Sequence, residues 1–436
     1  MGLGGSMNTL LLRDCDYVIT WDGDEARVMR GVSIYVEDGV IADVDKNLSQ
    51  PSDLVIRCNG RIAMPGLVNA HVHTPMSIMR GFYDDAELPE WLGRMWLVER
   101  GLNDGVIAMG SELSIIEMLM SGTTAFVDMY LRPEVTAQVA LKYGIRAALG
   151  PTFIDTLLDP GYVENEVLNF HSEFSGSGLI KPIVNVHSVY ANSTDTLLRA
   201  RDLMNRLGTN LQIHASETRD EVYEVKGRYG KLPVEYLDSL GLLGSNTQLI
   251  HLGWVTNWEL NLIVERKAKV THAPTSNMKL ATAGHFPMRE LMGRGVVVTL
   301  GTDGPASNNS LDMFREMKMA ILLQRHSYWD VSIKALHALK AATLNGYRLL
   351  GLNGGCIDRG CIADIVLLDA RSPRMQPLRP DNIISNIVYS ATGSDVVTTI
   401  VNGRVVYDRD ADYERFVNRA LELSESINEF MSRFLD

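Results

Sequence analysis

The chain reads as an α/β protein, a (β/α)8 TIM barrel carrying a small β-sandwich domain built from both chain ends. Three observations predict this. The central stretch alternates short apolar runs with helical stretches, and counting the run that ends at His71 gives eight strands. Both ends of the chain instead carry short alternating strands punctuated by Asp and Gly. The length, 436 residues with an apolar share of 46% and a charged share of 22%, supplies enough chain for one large core and a smaller one.

Residues 1–6 read as an expression scar ahead of a natural start at Met7. The sandwich is expected over 7–64 and 358–408, from runs at 17–20, 31–36 and 39–44 and a similar texture at 363–369 and 396–403. The barrel is expected over 65–357. Its strands are read at 123–128, 146–149, 183–187, 210–214, 248–251, 268–272 and 296–303, besides the one ending at His71. Helices lie between several of them, as at 111–120 and 195–207. The tail, 409–436, places Phe416, Leu421, Leu423, Ile427, Phe430 and Phe434 near helical spacing and reads as a closing helix.

Composition removes several function classes. A net charge of −12 argues against nucleic acid as a partner. No run of about 18 apolar residues suggests a membrane span, and no signal-peptide pattern opens the chain. Four cysteines, Cys15, Cys58, Cys356 and Cys361, are too sparse for a disulfide framework. The expectation is a reduced, cytoplasmic enzyme.

His71 and His73 follow an apolar run. On a strand, side chains two apart share a face with Cα atoms roughly 7 Å apart, so both imidazoles can converge on one metal ion. Alone, the pair leaves a purely structural H-x-H equally open. Position decides between the two. His187 ends the fourth expected strand, His214 the fifth, His251 the sixth and Asp303 the eighth, so half of the ten histidines sit where barrel enzymes build their sites.

The runs Pro65–His73, Gln212–Glu217, His272–Leu280 and Gly301–Gly304 resemble those of the amidohydrolase superfamily, in its cytosine-deaminase-like and chlorohydrolase branch. The likeness is greatest to 5′-methylthioadenosine/S-adenosylhomocysteine deaminases and covers essentially the whole chain. It implies one Zn2+ held by His71, His73, His214 and Asp303, with Fe2+ or Mn2+ compatible with the same ligands. No lysine follows the fourth strand to bridge a second metal, since Lys181 precedes it. The resemblance further implies that Asp303 takes a proton from the metal-activated water, Glu217 protonates the ring nitrogen, and His251 steadies the developing oxyanion.

For substrate contacts the resemblance points to His187 on the purine, Glu99 on the ribose hydroxyls, Trp91 in the pocket wall and Ser307 beside Asp303. Glu99 follows a segment one residue short of the family pattern, which leaves a solvated helix charge open there. Residues 147–171 contain no arginine, where relatives use arginines to hold the carboxylate-bearing tail of S-adenosylhomocysteine. Unless Arg80 or a neighbouring subunit supplies that charge, 5′-methylthioadenosine, adenosine or 5′-deoxyadenosine fits better. A hydrolase of another aminated or chlorinated heterocycle, of the s-triazine, guanine, 8-oxoguanine or pterin type, stays open. The implied partners are a small heterocyclic substrate and a second copy of the chain in a homo-oligomer, with no nucleic acid or membrane.

Overall fold

Eight short, almost wholly buried parallel strands carry the centre of the molecule. In the computed structural model, which describes residues 8–282 and 284–435, they are β1 (Leu67–Val72), β2 (Thr123–Asp128), β3 (Arg146–Leu149), β4 (Val184–Ser188), β5 (Leu211–Ala215), β6 (Thr247–His251), β7 (Lys269–His272) and β8 (Val298–Leu300). Strands buried on both faces are expected where helices cover a parallel sheet. One sheet runs from the short strand Ile180–Pro182 through β3 and β2 to β1, and the other from β8 through β7, β6, β5 and β4 to Thr152–Phe153. Every pairing in the two is parallel, with helices in the connections.

The last strand returns to the first. Asp303 N–H donates to the His71 carbonyl at 3.0 Å, and Asn69 both accepts from Thr302 N–H at 3.0 Å and donates to its hydroxyl at 2.7 Å. Gly301 is required at this junction, because a Cβ there would lie 2.6 Å from His71 N. Only a residue without a side chain lets the two backbones approach so closely.

Both chain ends join one eight-stranded sheet, in which Arg61–Pro65 pairs antiparallel with Ile365–Asp369. Its long strand Thr9–Asp22 holds Leu54–Arg57 beside its first half and Arg61–Pro65 beside its second, both in parallel register. A bulge between Leu12 and Cys15 separates the halves, with Asp14 left-handed at φ 57° and its N–H on the Ser33 hydroxyl at 3.0 Å. The helix Arg409–Met431 buries Phe416, Leu423, Ile427 and Phe430. Residues 1–6, read above as a scar, lie outside the described residues.

One expectation is corrected. Cys356 and Cys361 are joined by a disulfide, while Cys15 and Cys58 are free and buried. Sparse cysteines exclude a framework of bridges, but a separation of five residues still lets two of them meet across a turn. Among the described residues no helix is long and apolar enough to cross a membrane.

Candidate active site

The C-terminal ends of the strands deliver the polar groups to one place. His71 lies in β1 and His73 just beyond it, His187 in β4, His214 in β5 and His251 at the end of β6, and Asp303 follows β8. Backbone geometry there is unusual. Ser216, His251, Leu252 and Asp303 all have positive φ, between 49° and 77°. Such conformations in non-glycine residues cost free energy and persist where surroundings impose them.

Each imidazole is oriented by what its other nitrogen touches. His71 Nδ1 faces Gln212 Oε1 at 3.3 Å, and Gln212 is itself fixed by donating to the Asp128 carbonyl and to Asn185 Oδ1, both at 2.8 Å. His73 Nδ1 bonds to the Met129 carbonyl. With both Nδ1 atoms acting as donors, both Nε2 lone pairs turn inward. His71 Nε2 then lies 3.1 Å from His214 Nε2 and 3.5 Å from Asp303 Oδ1, and His73 Nε2 lies 3.1 Å from the same oxygen.

Lone pairs facing one another at that range in a buried site call for a cation between them. Ligand arms of 2.0–2.1 Å in a tetrahedron would set the ligand atoms about 3.3 Å apart, so the donor set fits a divalent metal. His71, His73 and Asp303 form one candidate metal group, and His71, His214 and His251 an overlapping one. Burial opposes ionisation of Asp303, yet the imidazoles of His71 and His73 hold its carboxyl well below the usual range. Its Oδ2 accepts from Ser276 at 2.6 Å and Ser307 at 3.2 Å, and its Oδ1 accepts from Gly304 N–H at 2.8 Å.

Glu217 and His251 form a second pair, Oε2 and Nε2 3.7 Å apart. Asn277 Nδ2 donates to His251 Nδ1 at 3.0 Å, which places the ring proton on Nε2, toward Glu217. Burial lowers the His251 pKa, so this imidazole is neutral and a donor. Burial first, and then the Asp303 charge, push Glu217 up to about 8. The Glu217 backbone is held by Glu221, whose carboxylate accepts from Ser216 N–H at 2.9 Å and Glu217 N–H at 2.8 Å.

A cavity opens over these groups, concave and largely apolar with a few polar groups converging on it, as small-molecule sites are. Its floor holds His73, His187, His214, Glu217, His251 and Asp303, and its wall is largely apolar, with Leu88, Trp91, Leu92, Met95, Ile154 and Leu157. Glu99 lines it too, accepting from Tyr130 Oη at 2.8 Å, while among the described residues no lysine or arginine does. Arg80 is engaged elsewhere, with Glu117 and the Asn309 carbonyl.

Eight of the ten residues picked from the sequence line the cavity, and His71 meets two of them, His214 and Asp303. Ser307 is buried against Asp303, donating to its Oδ2 at 3.2 Å, and is absent from the cavity wall. Sequence reasoning missed Tyr130, Ser276, Gln212 and Glu221 as supports. Ser276 and Gln212 lie inside the quoted motifs, so a signal was present. Glu221, four residues past Glu217, was within reach of a helix-entry argument. For Tyr130 no signal existed, since its partner is 31 residues away.

The family model for the amidohydrolase family matches residues 62–406. The chain belongs to the amidohydrolase family. This amidohydrolase is 40% identical over 392 residues to a 5-methylthioadenosine/S-adenosylhomocysteine deaminase of Thermococcus sibiricus, covering 88% of this chain and 91% of that one. It is 41% identical over 412 residues to a 5′-deoxyadenosine deaminase of Methanothermobacter thermautotrophicus, covering 92% and 95%. Among solved structures, a zinc-bound adenosine deaminase from Xanthomonas campestris superposes with a TM-score of 0.90 at 32% identity, covering 96% of this amidohydrolase and 98% of that chain.

Proposed function

We propose that this amidohydrolase is a hydrolytic deaminase of adenine-type nucleosides, working with one zinc ion held by His71, His73, His214 and Asp303. The observation that carries the reading is the placement of a carboxyl group poised to hold a proton at neutral pH, Glu217, beside a neutral imidazole donor, His251, on the floor of an apolar cavity. Relatives of about 40% identity named as deaminases of such nucleosides support it. The eight parallel strands are read as a closed (β/α)8 barrel over 65–357. The end-built sheet, over 7–64 and 358–408, is read as folding across its bulge into a sandwich, and 409–436 as a closing helix.

When bound, the metal would supply positive charge that makes water acidic near neutral pH. The chain's own residues account for the rest. Glu217 donates its proton to the ring nitrogen beside the amino-bearing carbon, which makes that carbon electrophilic. Water adds to the carbon, its first proton passing to Asp303, whose depressed pKa keeps it ionised until then. The Nε2–H of His251, set by the Asn277 bond to Nδ1, donates to the new oxygen and offsets the charge it gathers. Asp303 returns its proton to the amino group, the C–N bond breaks and ammonia leaves, while the hydroxyl proton restores Glu217. One water is consumed, and the inosine-type product keeps the ring-nitrogen proton.

His187, whose Nδ1 faces the Ser188 hydroxyl at 3.1 Å, is read as contacting the purine. Glu99 is read as binding the ribose hydroxyls, and Trp91 as part of the wall around the 5′ substituent. With no lysine or arginine among the described residues lining the cavity, a carboxylate-bearing tail finds no such counter-charge, so 5′-methylthioadenosine, adenosine and 5′-deoxyadenosine are favoured over S-adenosylhomocysteine.

The test is ammonia release across those four nucleosides, guanine, cytosine, pterins and aminotriazines, with zinc content measured alongside. The expected result is turnover of the neutral nucleosides well above the rest. No ammonia from any of them at one metal per chain would sink the reading.

A further inference from the structure

The segment Asp128–Met129–Tyr130 at the end of β2 is tied to several strands that carry site histidines. Asp128 Oδ1 accepts from Thr74 N–H at 2.6 Å, and its carbonyl accepts from Asn185 Nδ2 at 3.1 Å and Gln212 Nε2 at 2.8 Å. Met129 N–H donates to the Val72 carbonyl at 3.0 Å, and the Met129 carbonyl holds His73. The Tyr130 carbonyl accepts from the Thr152 hydroxyl at 3.1 Å. The Tyr130 backbone is therefore fixed relative to the metal-binding cluster through β1, β4 and β5.

Its side chain reaches the other way, to Glu99, the last residue of the helix Leu88–Glu99. A carboxylate at a helix C-terminus is disfavoured by the dipole, and among the described residues no lysine or arginine lines the cavity beside it. Tyr130 Oη is the sole side-chain donor to Glu99 among the described residues, and it meets Oε1. Glu99 lines the cavity, no described residue donates to its Oε2, and a carboxylate accepts up to about four hydrogen bonds. Two adjacent hydroxyls of a ligand can satisfy what remains.

We infer that Tyr130 is a positioning residue that holds Glu99 at a fixed distance from the catalytic groups, so that the enzyme selects nucleosides carrying an intact 2′,3′-diol. The inference rests on the reading of Glu99 as the ribose contact. Burial keeps the Tyr130 hydroxyl protonated well above its usual range, so it serves as a neutral donor. Tyr130→Phe removes only that donor.

The test compares steady-state kinetics on adenosine and on 2′,3′-dideoxyadenosine for the zinc-loaded enzyme and its Tyr130→Phe, Glu99→Gln and Glu99→Asp variants. For Tyr130→Phe the expected result is a KM for adenosine raised about tenfold, the scale of one hydrogen bond to a charged group. Its kcat should stay within about twofold, with the dideoxy KM unchanged. Glu99→Gln should collapse the preference for the diol. Glu99→Asp, which keeps the charge but shortens the reach to Tyr130, should lose the preference as well. A preference kept by Glu99→Asp overturns the role of Tyr130 even if Tyr130→Phe fails to fold.

Outcomes separate cleanly. A preference that survives Glu99→Gln overturns the ribose reading of Glu99 and the inference with it. A preference lost in Glu99→Gln but kept in Tyr130→Phe or Glu99→Asp overturns the role of Tyr130 alone. Equal losses on both substrates in Tyr130→Phe would mark a purely structural role and also overturn it.

Discussion

In the proposed reaction Glu217 has to carry a proton when substrate arrives, and its surroundings see to that. Burial and the nearby Asp303 charge push its pKa up to about 8. An acid whose pKa is raised holds its proton below that value and loses it above. Activity should therefore be level through neutral pH and fall as pH rises past about 8, read as kcat/KM, which reports the free enzyme. Glu217→Gln keeps the shape but cannot donate an acidic proton, so kcat should fall by about 10²–10⁴-fold at unchanged metal content. Retained turnover in that variant would remove Glu217 from its role. The residue was legible in the sequence because it shares one short run with His214, where spacing alone puts both at the same strand end. Ser276 was legible only as part of a motif. Its hydroxyl meets Asp303 from 27 residues away, and nothing in a linear spacing says which serine of a loop will make that contact.

At the scale of elements, the loop from β5 into the helix Arg219–Tyr229 shows how a site is held open against local preference. Ser216 is left-handed, which a serine adopts only under constraint. The constraint is Glu221, placed in the first turn by the Thr218 cap and accepting both loop N–H groups. Glu221→Ala would leave two buried donors without acceptors, a cost of about 1–3 kcal/mol each if water does not enter. Freed of that tether, Glu217 should lose its aim. The expectation is a kcat lowered at least tenfold, with metal content kept and KM changed less. Wild-type kcat in a destabilised Glu221→Ala would show that the tether is structural only. The same scale shows where sequence reading fell short. Strands 123–128 and 146–149 were read to the residue, with Gly122 opening the first run and Gly150 closing the second. The strand Thr9–Asp22 was read only at 17–20, because Asp14 and Asp16 break the alternation that the bulge accommodates. The helix Asp104–Met120 was entered seven residues late, because Gly105 and Gly110 weaken the periodic signal that the Asn103 cap restores.

For the molecule as a whole, the question is what fastens the end-built sheet to the strands that carry the site. Asp364 lies there, fully buried, one residue before Ile365–Asp369. It accepts from Arg146 Nε of β3 at 3.0 Å, from the Tyr347 hydroxyl at 2.6 Å and from Asn402 N–H at 2.6 Å. Those donors come from the parallel strand β3, from the helix Leu344–Leu350 and from the turn after Val396–Val401, so one carboxylate joins three distant parts of the chain. Asp364→Ala leaves the Arg146 guanidinium buried without its counter-ion, a loss of about 3–5 kcal/mol. It should appear as a lower denaturant midpoint with an unchanged slope. Adding Arg146→Met removes the stranded charge, so the double variant should be more stable than Asp364→Ala alone. It should still fall short of the parent, because Tyr347 and Asn402 remain without their acceptor. If Asp364→Ala unfolds at the parent midpoint, or the double variant is the less stable of the two, the carboxylate is not the fastening that its contacts describe.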